Sequence, residues 1–142
     1  MREILFRGKR LDNGEWMEGY YLHLGPVANE RAYMIPSYAS ALYTYEVDPA
    51  TVCQFTGEVD KNGKRVFEGD ILKMERDIQH RATVTKRETT IGVVRYDEEL
   101  ASFGYESKGH YKHLGLNRFP GDFQEVIGNI HDNPELLEGG QA

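Results

Sequence analysis

Two Asn-Gly pairs constrain the fold of this 142-residue chain more than any other feature. Asn13-Gly14 and Asn62-Gly63 each lie between short runs of apolar residues. Both residues of an Asn-Gly pair tolerate a positive φ, which the tightest β-hairpin turns require. A Glu-Gly pair and a further apolar run follow each of them. The sequence therefore predicts two β-hairpins. Their similar continuation indicates either a degenerate repeat, with one hairpin in each of two subdomains, or a coincidence, because hairpins reuse the same turn chemistry.

The rest of the chain favours strands and turns over long helices. It contains 15 glycines and nine tyrosines, and its apolar runs are short. We predict strands at 32–35, 52–55, 66–74, 91–96, 102–106 and 123–130, with polar, loop-like segments at 75–90 and 107–122. The expected fold is mainly β, with an α+β arrangement as the alternative, and short strands with uneven loops favour a small barrel.

Composition narrows the class of protein. The fractions of hydrophobic and charged residues, 39% and 28%, are those of a globular protein. A net charge of −6 gives no overall field for non-specific DNA binding. The single cysteine, Cys53, allows no intrachain disulfide, which suits a reducing compartment. The sequence shows no signal peptide and no membrane-spanning run, so we expect a cytoplasmic protein without a membrane partner.

Candidate catalytic and metal-binding residues have structural explanations. Cys53 has no basic neighbour to lower its thiol pKa and is predicted to be a small buried side chain. His110 and His113 lack the paired four-ligand pattern of structural zinc sites. Glu68 and Asp70 flank a glycine where carboxylates accept backbone hydrogen bonds, although paired carboxylates also catalyse hydrolysis. We predict no cofactor, no metal and no enzymatic activity, and a small hydrolase stays a remote alternative.

Six tyrosines occur between positions 20 and 45. A tyrosine offers a large apolar body with a polar tip and is enriched at protein interfaces. This density is more than a small half-domain easily buries, so we predict a protein-binding surface and self-association through it. The predicted interface residues are Tyr20, Tyr21, Tyr33, Tyr38, Tyr43 and Tyr45.

A central segment is locally basic although the chain is acidic. Small β-barrels bind nucleic acid with basic side chains on phosphates and aromatic side chains on bases. No Phe, Trp or Tyr lies between positions 73 and 91, so a solvated, flexible segment is the simpler interpretation. The alternative is a nucleic-acid contact formed by Lys73, Arg76, Arg81, Lys86, Arg87 and Arg95.

Four sequence blocks occur in series along the chain. They are FRGKR with NGEW and GY at 6–20, VDP with TV and QFTG at 47–57, DKNGK with FEGDI at 60–71, and EVIGNIHDNPELL at 125–137. Together they resemble the YopX family of bacteriophage and prophage proteins. The resemblance implies a mainly β structure, an SH3-like C-terminal part and a place in the cytoplasm of a bacterial host. It implies no activity and no site residue.

These observations together predict three segments: an N-terminal β-hairpin subdomain at 1–57 that carries the interface, an SH3-like β-barrel at 58–138, and a frayed tail at 139–142. The expected function is that of a phage or prophage accessory protein, a non-catalytic module that binds a protein partner or a second copy of itself. A small β-barrel that binds nucleic acid is the alternative.

Overall fold

The computed structural model describes residues 3–25, 31–38, 43–81, 83–113 and 123–137. The chain divides into two compact units, Met1–Gly57 and Glu58–Ala142. Antiparallel strands build both units, and the helices of the described ranges are two short 3-10 segments, Pro49–Thr51 and Pro134–Leu137. The prediction of a mainly β protein is confirmed. The tail predicted at 139–142 lies outside the described residues.

Five strands form the sheet of the first unit, in the order β4-β3-β2-β1-β5. The last of them, β5, ends two residues beyond the first unit, and β6 (Arg65–Phe67) belongs to the second unit. The strands are β1 (Phe6–Lys9), β2 (Trp16–Leu24), β3 (Arg31–Pro36), β4 (Tyr45–Val47) and β5 (Cys53–Val59).

The first Asn-Gly pair joins β1 to β2, and the predicted hairpin is confirmed. Gly14 has a φ of 71°, and its N–H donates to the Arg10 carbonyl over 2.8 Å. The Asn13 side chain accepts a hydrogen bond from the Glu15 N–H at 2.9 Å, while its own φ is not positive. Only the glycine therefore uses the left-handed conformation, and the asparagine contributes through its side chain.

The core of the first unit lies on one face of β3 and β4. Ala32, Met34 and Val47 have no exposed surface, and Ala32 pairs directly with Val47. Side chains alternate between the two faces of a strand, so Tyr33 and Ile35 lie on the opposite face of β3. The partly buried side chains packed against this core are Phe6, Met17, Tyr21 and Val52.

The second unit contains an antiparallel sheet with the order β10-β9-β8-β7-β11. β7 and β8 form its longest pairing, which begins where Ile71 lies opposite Val93 and ends where His80 lies opposite Thr83. Its last strand, β11, lies beside β7 although residues 81–122 separate the two strands in sequence. The strands are β7 (Asp70–His80), β8 (Thr83–Asp97), β9 (Ser102–Ser107), β10 (His110–His113) and β11 (Phe123–Asn129).

The second Asn-Gly pair lies between β5 and β6, as predicted. Asp60 precedes it and is only 5% exposed. One carboxylate oxygen accepts from the N–H groups of Asn62 and Lys64, both at 2.9 Å, and the other accepts from the Val126 N–H at 3.0 Å. One buried carboxylate thus attaches this turn to β11.

The core of the second unit is formed by Val66, Leu72, Val94 and Tyr105, with Met74 and Val126 packed against it. Apolar residues in the predicted strands are expected to be mostly buried, and the burial of nine of them varies. Ile130 is 39% exposed because it follows the last residue of β11 in a turn. Phe55, Val66, Ile71 and Val94 are buried, whereas Trp16, Val93, Phe103 and Val126 are half-buried.

Three segments differ from their predictions. Residues 75–80 and 83–90, predicted as a loop, are parts of β7 and β8. Of the loop predicted at 107–122, Ser107 ends β9 and His110–His113 forms β10, while 114–122 lie outside the described residues. The strand predicted at 66–74 is broken by a turn at Glu68 and Gly69. The charged composition of 75–90 suggested a loop. A two-stranded ribbon with solvent on both faces can form strands without alternating apolar and polar residues.

The strands described in the second unit do not close into a barrel. Of the predicted architecture, the mainly β character is therefore established. The SH3-like arrangement of residues 58–138 stays a prediction.

Candidate protein-binding surface

One face of β2 and β3 carries large exposed apolar side chains. Tyr20, Leu22 and Leu24 are 53%, 40% and 55% exposed, and their spacing of two places them on the same face of β2. On β3, Ile35 pairs with Tyr20 and Tyr33 pairs with Leu22. These five residues form a continuous surface, which we call the outer patch.

Close packing of the two strands fixes the position of the outer patch. Gly19 pairs with Pro36 beside the patch, and it is buried. A Cβ atom at Gly19 would lie 2.0 Å from the Ile35 carbonyl oxygen, a distance that real Cβ atoms do not show. Glycine is therefore required here, and it sets the register that aligns Tyr20 with Ile35.

Charged side chains lie at two ends of the apolar centre, and one of them, Arg7, is only 9% exposed. Next to the patch on β2, the Trp16 ring has Arg7 Cζ at 4.7 Å and Lys9 Nζ at 5.3 Å from its centroid, both within the range of cation–π contacts. At the other end, Arg31 Nε lies 3.4 Å from Glu46 Oε1. An apolar centre with a polar rim is the usual composition of a protein interface.

The structure separates the six predicted interface tyrosines. Tyr20 and Tyr33 belong to the outer patch, whereas Tyr21 and Tyr45 lie on the opposite face of the sheet. The Tyr21 ring is 5.6 Å from that of Phe6 in the core, and Arg10 Cζ lies 4.1 Å from the centroid of the Tyr45 ring.

Tyr38 and Tyr43 lie beyond the ends of β3 and β4 and are 88% and 60% exposed. The chain between them, 39–42, is outside the described residues. Sequence reasoning missed Leu22, Leu24 and Ile35, since it considered tyrosines alone. The alternation of Tyr20, Leu22 and Leu24 was the signal that could have identified them.

Half of the predicted nucleic-acid contacts lie beside carboxylates of their own sheet. Glu75 is 3.2 Å from Lys73 Nζ and 3.0 Å from Arg87, and the hydrogen bond from Lys73, with the Arg87 charge, holds the pKa of Glu75 below its usual value. Arg95 contacts Glu106 and lies 4.7 Å from the centroid of the Tyr111 ring. Carboxylates of the same sheet therefore largely neutralise the charge of these three cations.

The other three predicted contacts differ from them. Arg76, Arg81 and Lys86 are exposed and lie in the distal part of the β7–β8 hairpin. None of the three forms an ion pair with a carboxylate whose side chain the structure describes. The structure therefore divides the predicted basic set into a balanced half and an exposed half.

Residues with catalytic or metal-binding chemistry are not assembled into a site in the described ranges. Cys53 is 4% exposed, and its thiol donates to the Thr51 carbonyl at 3.1 Å. His110 is exposed. No three His, Cys, Asp or Glu side chains of the described residues are placed to hold a metal ion. Likewise, no helix described is long and apolar enough to cross a membrane.

Comparisons with known proteins agree with the β architecture. A family model described as YopX protein matches residues 5–138. No curated protein matches the chain. Among solved structures, the crystal structure of protein EF1440 from Enterococcus faecalis is similar, with a TM-score of 0.50 and 23% identity over 97% of this chain and 100% of that one. At this identity the likeness concerns the fold alone.

Proposed function

The chain belongs to the YopX family, and from this premise we propose that it is a phage or prophage accessory protein that binds another protein and performs no catalysis. The binding surface is the outer patch of the first unit, and the partner is a second copy of the chain. The site of action is the cytoplasm of the bacterial host, and an SH3-like arrangement of residues 58–138 belongs to the same proposal. The exposure of Tyr20, Leu22 and Leu24 carries the proposal.

The apolar character of the outer patch supports binding. Three large apolar side chains of one strand are each at least 40% exposed, and Tyr33 and Ile35 extend the surface onto the next strand. Monomeric proteins rarely leave such contiguous apolar surface in water. Covering it is favourable by roughly 25 cal/mol for each Å² of apolar surface removed from water.

The charges around the patch favour a second copy over an unrelated partner. One end of the patch carries Lys9 and Glu18, and the other end carries Arg31 and Glu46. Each end thus presents both signs of charge. In a two-fold dimer both copies bury the same surface. Because each end of the patch carries both signs of charge, opposite charges can meet whether like ends or unlike ends of the two patches face each other.

The test compares two leucine substitutions in the first unit. Leu24 lies in the outer patch and Leu11 in the β1–β2 turn, and they are 55% and 58% exposed. We expect the wild type to sediment as a dimer at micromolar concentration. Leu24→Lys should sediment as a monomer, because it places a charge in the apolar centre, whereas Leu11→Lys should sediment as the wild type does.

Two results would contradict the proposal. A wild type that remains monomeric up to about 100 μM, well above the dissociation constant of most specific dimers, would exclude the second copy as partner. Equal loss of the dimer in the Leu24 and Leu11 variants would show that the added charge, and not the surface it occupies, controls association.

A further inference from the structure

The β7–β8 hairpin extends beyond the sheet that contains it. β11 accompanies β7 only as far as Glu75, and β9 accompanies β8 only from Val93 onward. In the described residues, 76–80 and 83–88 pair with each other and with no other strand. We call residues 76–88 the arm, of which Ala82 lies outside the described ranges. The arm is a two-stranded antiparallel ribbon.

The arm is basic in an acidic chain. It contains four Lys or Arg residues and two Asp or Glu residues, whereas the whole chain contains 17 and 23. Arg76 lies opposite Glu88, and Lys86 lies two residues before Glu88 on the same face. Even counting that carboxylate, this face carries a net positive charge, and Arg81 adds another cation at the tip.

Three of the four cations of the arm are available to a ligand, whereas Arg87 is paired with Glu75. Arg76, Arg81 and Lys86 are exposed, and no carboxylate with a described side chain forms an ion pair with them. β7 is extended from Arg76 to His80, over about 13 Å, and Arg81 follows in the turn. Such a row of cations can neutralise several phosphates of one nucleic-acid backbone.

We propose that the arm binds double-stranded nucleic acid by inserting into its major groove, with Arg76, Arg81 and Lys86 contacting phosphates. The major groove of B-form DNA is about 12 Å wide and admits a two-stranded β-ribbon. The arm contains no Phe, Trp or Tyr, the side chains on which unpaired bases stack best. The chemistry therefore favours a duplex over a single strand.

The test is fluorescence anisotropy with a labelled 20-base-pair DNA duplex at several salt concentrations. The wild type is compared with the triple variant R76Q/R81Q/K86Q and with the control triple K64Q/R65Q/K108Q, also in the second unit. All six residues are exposed. Both triples remove three charges, and each includes one residue with a left-handed backbone, Arg81 (φ 52°) or Lys108 (φ 51°). The comparison is therefore matched in charge and backbone conformation.

We expect salt-dependent binding by the wild type and by the control triple. The arm triple should bind about tenfold more weakly or worse. The negative slope of log K against log salt should become shallower by about 0.9 for each phosphate that the variant no longer neutralises. The single variant R81Q, changed only at the tip, should show a smaller decrease in affinity in the same direction. If the arm triple fails to fold, R81Q alone still tests whether the arm binds the duplex.

Several results would overturn the proposal. The first is no salt-dependent binding by the wild type. The second is an equal decrease in affinity in both triples. The third is tighter binding to the single strand than to the duplex. Displacement of the duplex by polyglutamate at equal charge concentration would also overturn it, since it would identify an acidic protein surface as the ligand class.

Discussion

Asp60 is an acidic side chain with little exposure to solvent, and its two carboxylate oxygens accept three backbone hydrogen bonds. Burial alone would raise the pKa of Asp60. The N–H donors of Val126, Lys64 and Asn62 together favour the charged form more strongly, so the pKa lies below its usual value. A lowered pKa means that the native state stabilises the ionised carboxylate.

Asp60→Asn should destabilise the second unit by about 1–3 kcal/mol at pH 7, because the amide leaves at least one buried N–H group without an acceptor. The pKa of Asp60 is lower in the folded state, so its contribution is complete above the unfolded pKa of about 3.9 and declines as the pH falls through the folded value. Urea unfolding at pH 7 and pH 3 measures this difference, which should be smaller at pH 3.

Asp12→Asn is the matched control for Asp60. A hydrogen bond from Arg10 holds the pKa of Asp12 below its usual value too, but the Asp12 side chain is exposed. Exposed ion pairs contribute little to stability, so this change should barely move the urea midpoint. An Asp60 variant as stable as the Asp12 variant would show that the three hydrogen bonds of Asp60 are not important for stability.

At the scale of elements, the same dipeptide has two different uses. β2 runs through Glu18 and Gly19 without interruption, and the carbonyl of Ile35 leaves no space there for a Cβ atom. Glu68 and Gly69 instead form the turn between β6 and β7, where Gly69 has a φ of 86°. The sequence alone cannot distinguish these uses, because glycine serves both close approach and positive φ. The apparent repeat therefore does not describe two equivalent hairpins.

The β7–β8 hairpin contains two parts of different expected stability. Amides in the arm, at 77–79 and 84–87, should exchange with solvent much faster than those at 71–74 and 93–96, since an isolated two-stranded ribbon is at best marginally stable. Hydrogen exchange followed by mass spectrometry measures both parts in one experiment. The central strands β2 and β3 serve as the reference for slow exchange.

Equal protection along the whole hairpin would contradict this expectation and indicate that something covers the arm. The loop predicted from the sequence at 75–90 would exchange fast as well, because a loop lacks regular backbone hydrogen bonds. The structure replaces that reason: the backbone there is hydrogen-bonded, but only between two strands.

For the whole molecule, local features were predictable and long-range ones were not. Asn13-Gly14 and Asn62-Gly63 specify their turns locally, through the positive φ of Gly14 and Gly63. The pairing of β11 with β7 depends on contacts between distant segments, which no local pattern specifies. The outer patch was only partly predictable, because β2 carries apolar residues on both faces and only the packed structure shows which face is covered.

Self-association has a consequence for the stability of the whole chain. If folding is coupled to dimer formation through the outer patch, each tenfold dilution lowers the free energy of unfolding by about 1.4 kcal/mol per mole of dimer. Shared between two chains of this size, that lowers the Tm by about 2 °C for each tenfold dilution. Thermal unfolding of the wild type over a hundredfold range of concentration should therefore show a decrease of about 4 °C. Leu24→Lys should have a Tm independent of concentration, whereas Leu11→Lys should follow the wild type; a wild-type Tm that does not change on dilution would argue against a dimer that stabilises the fold.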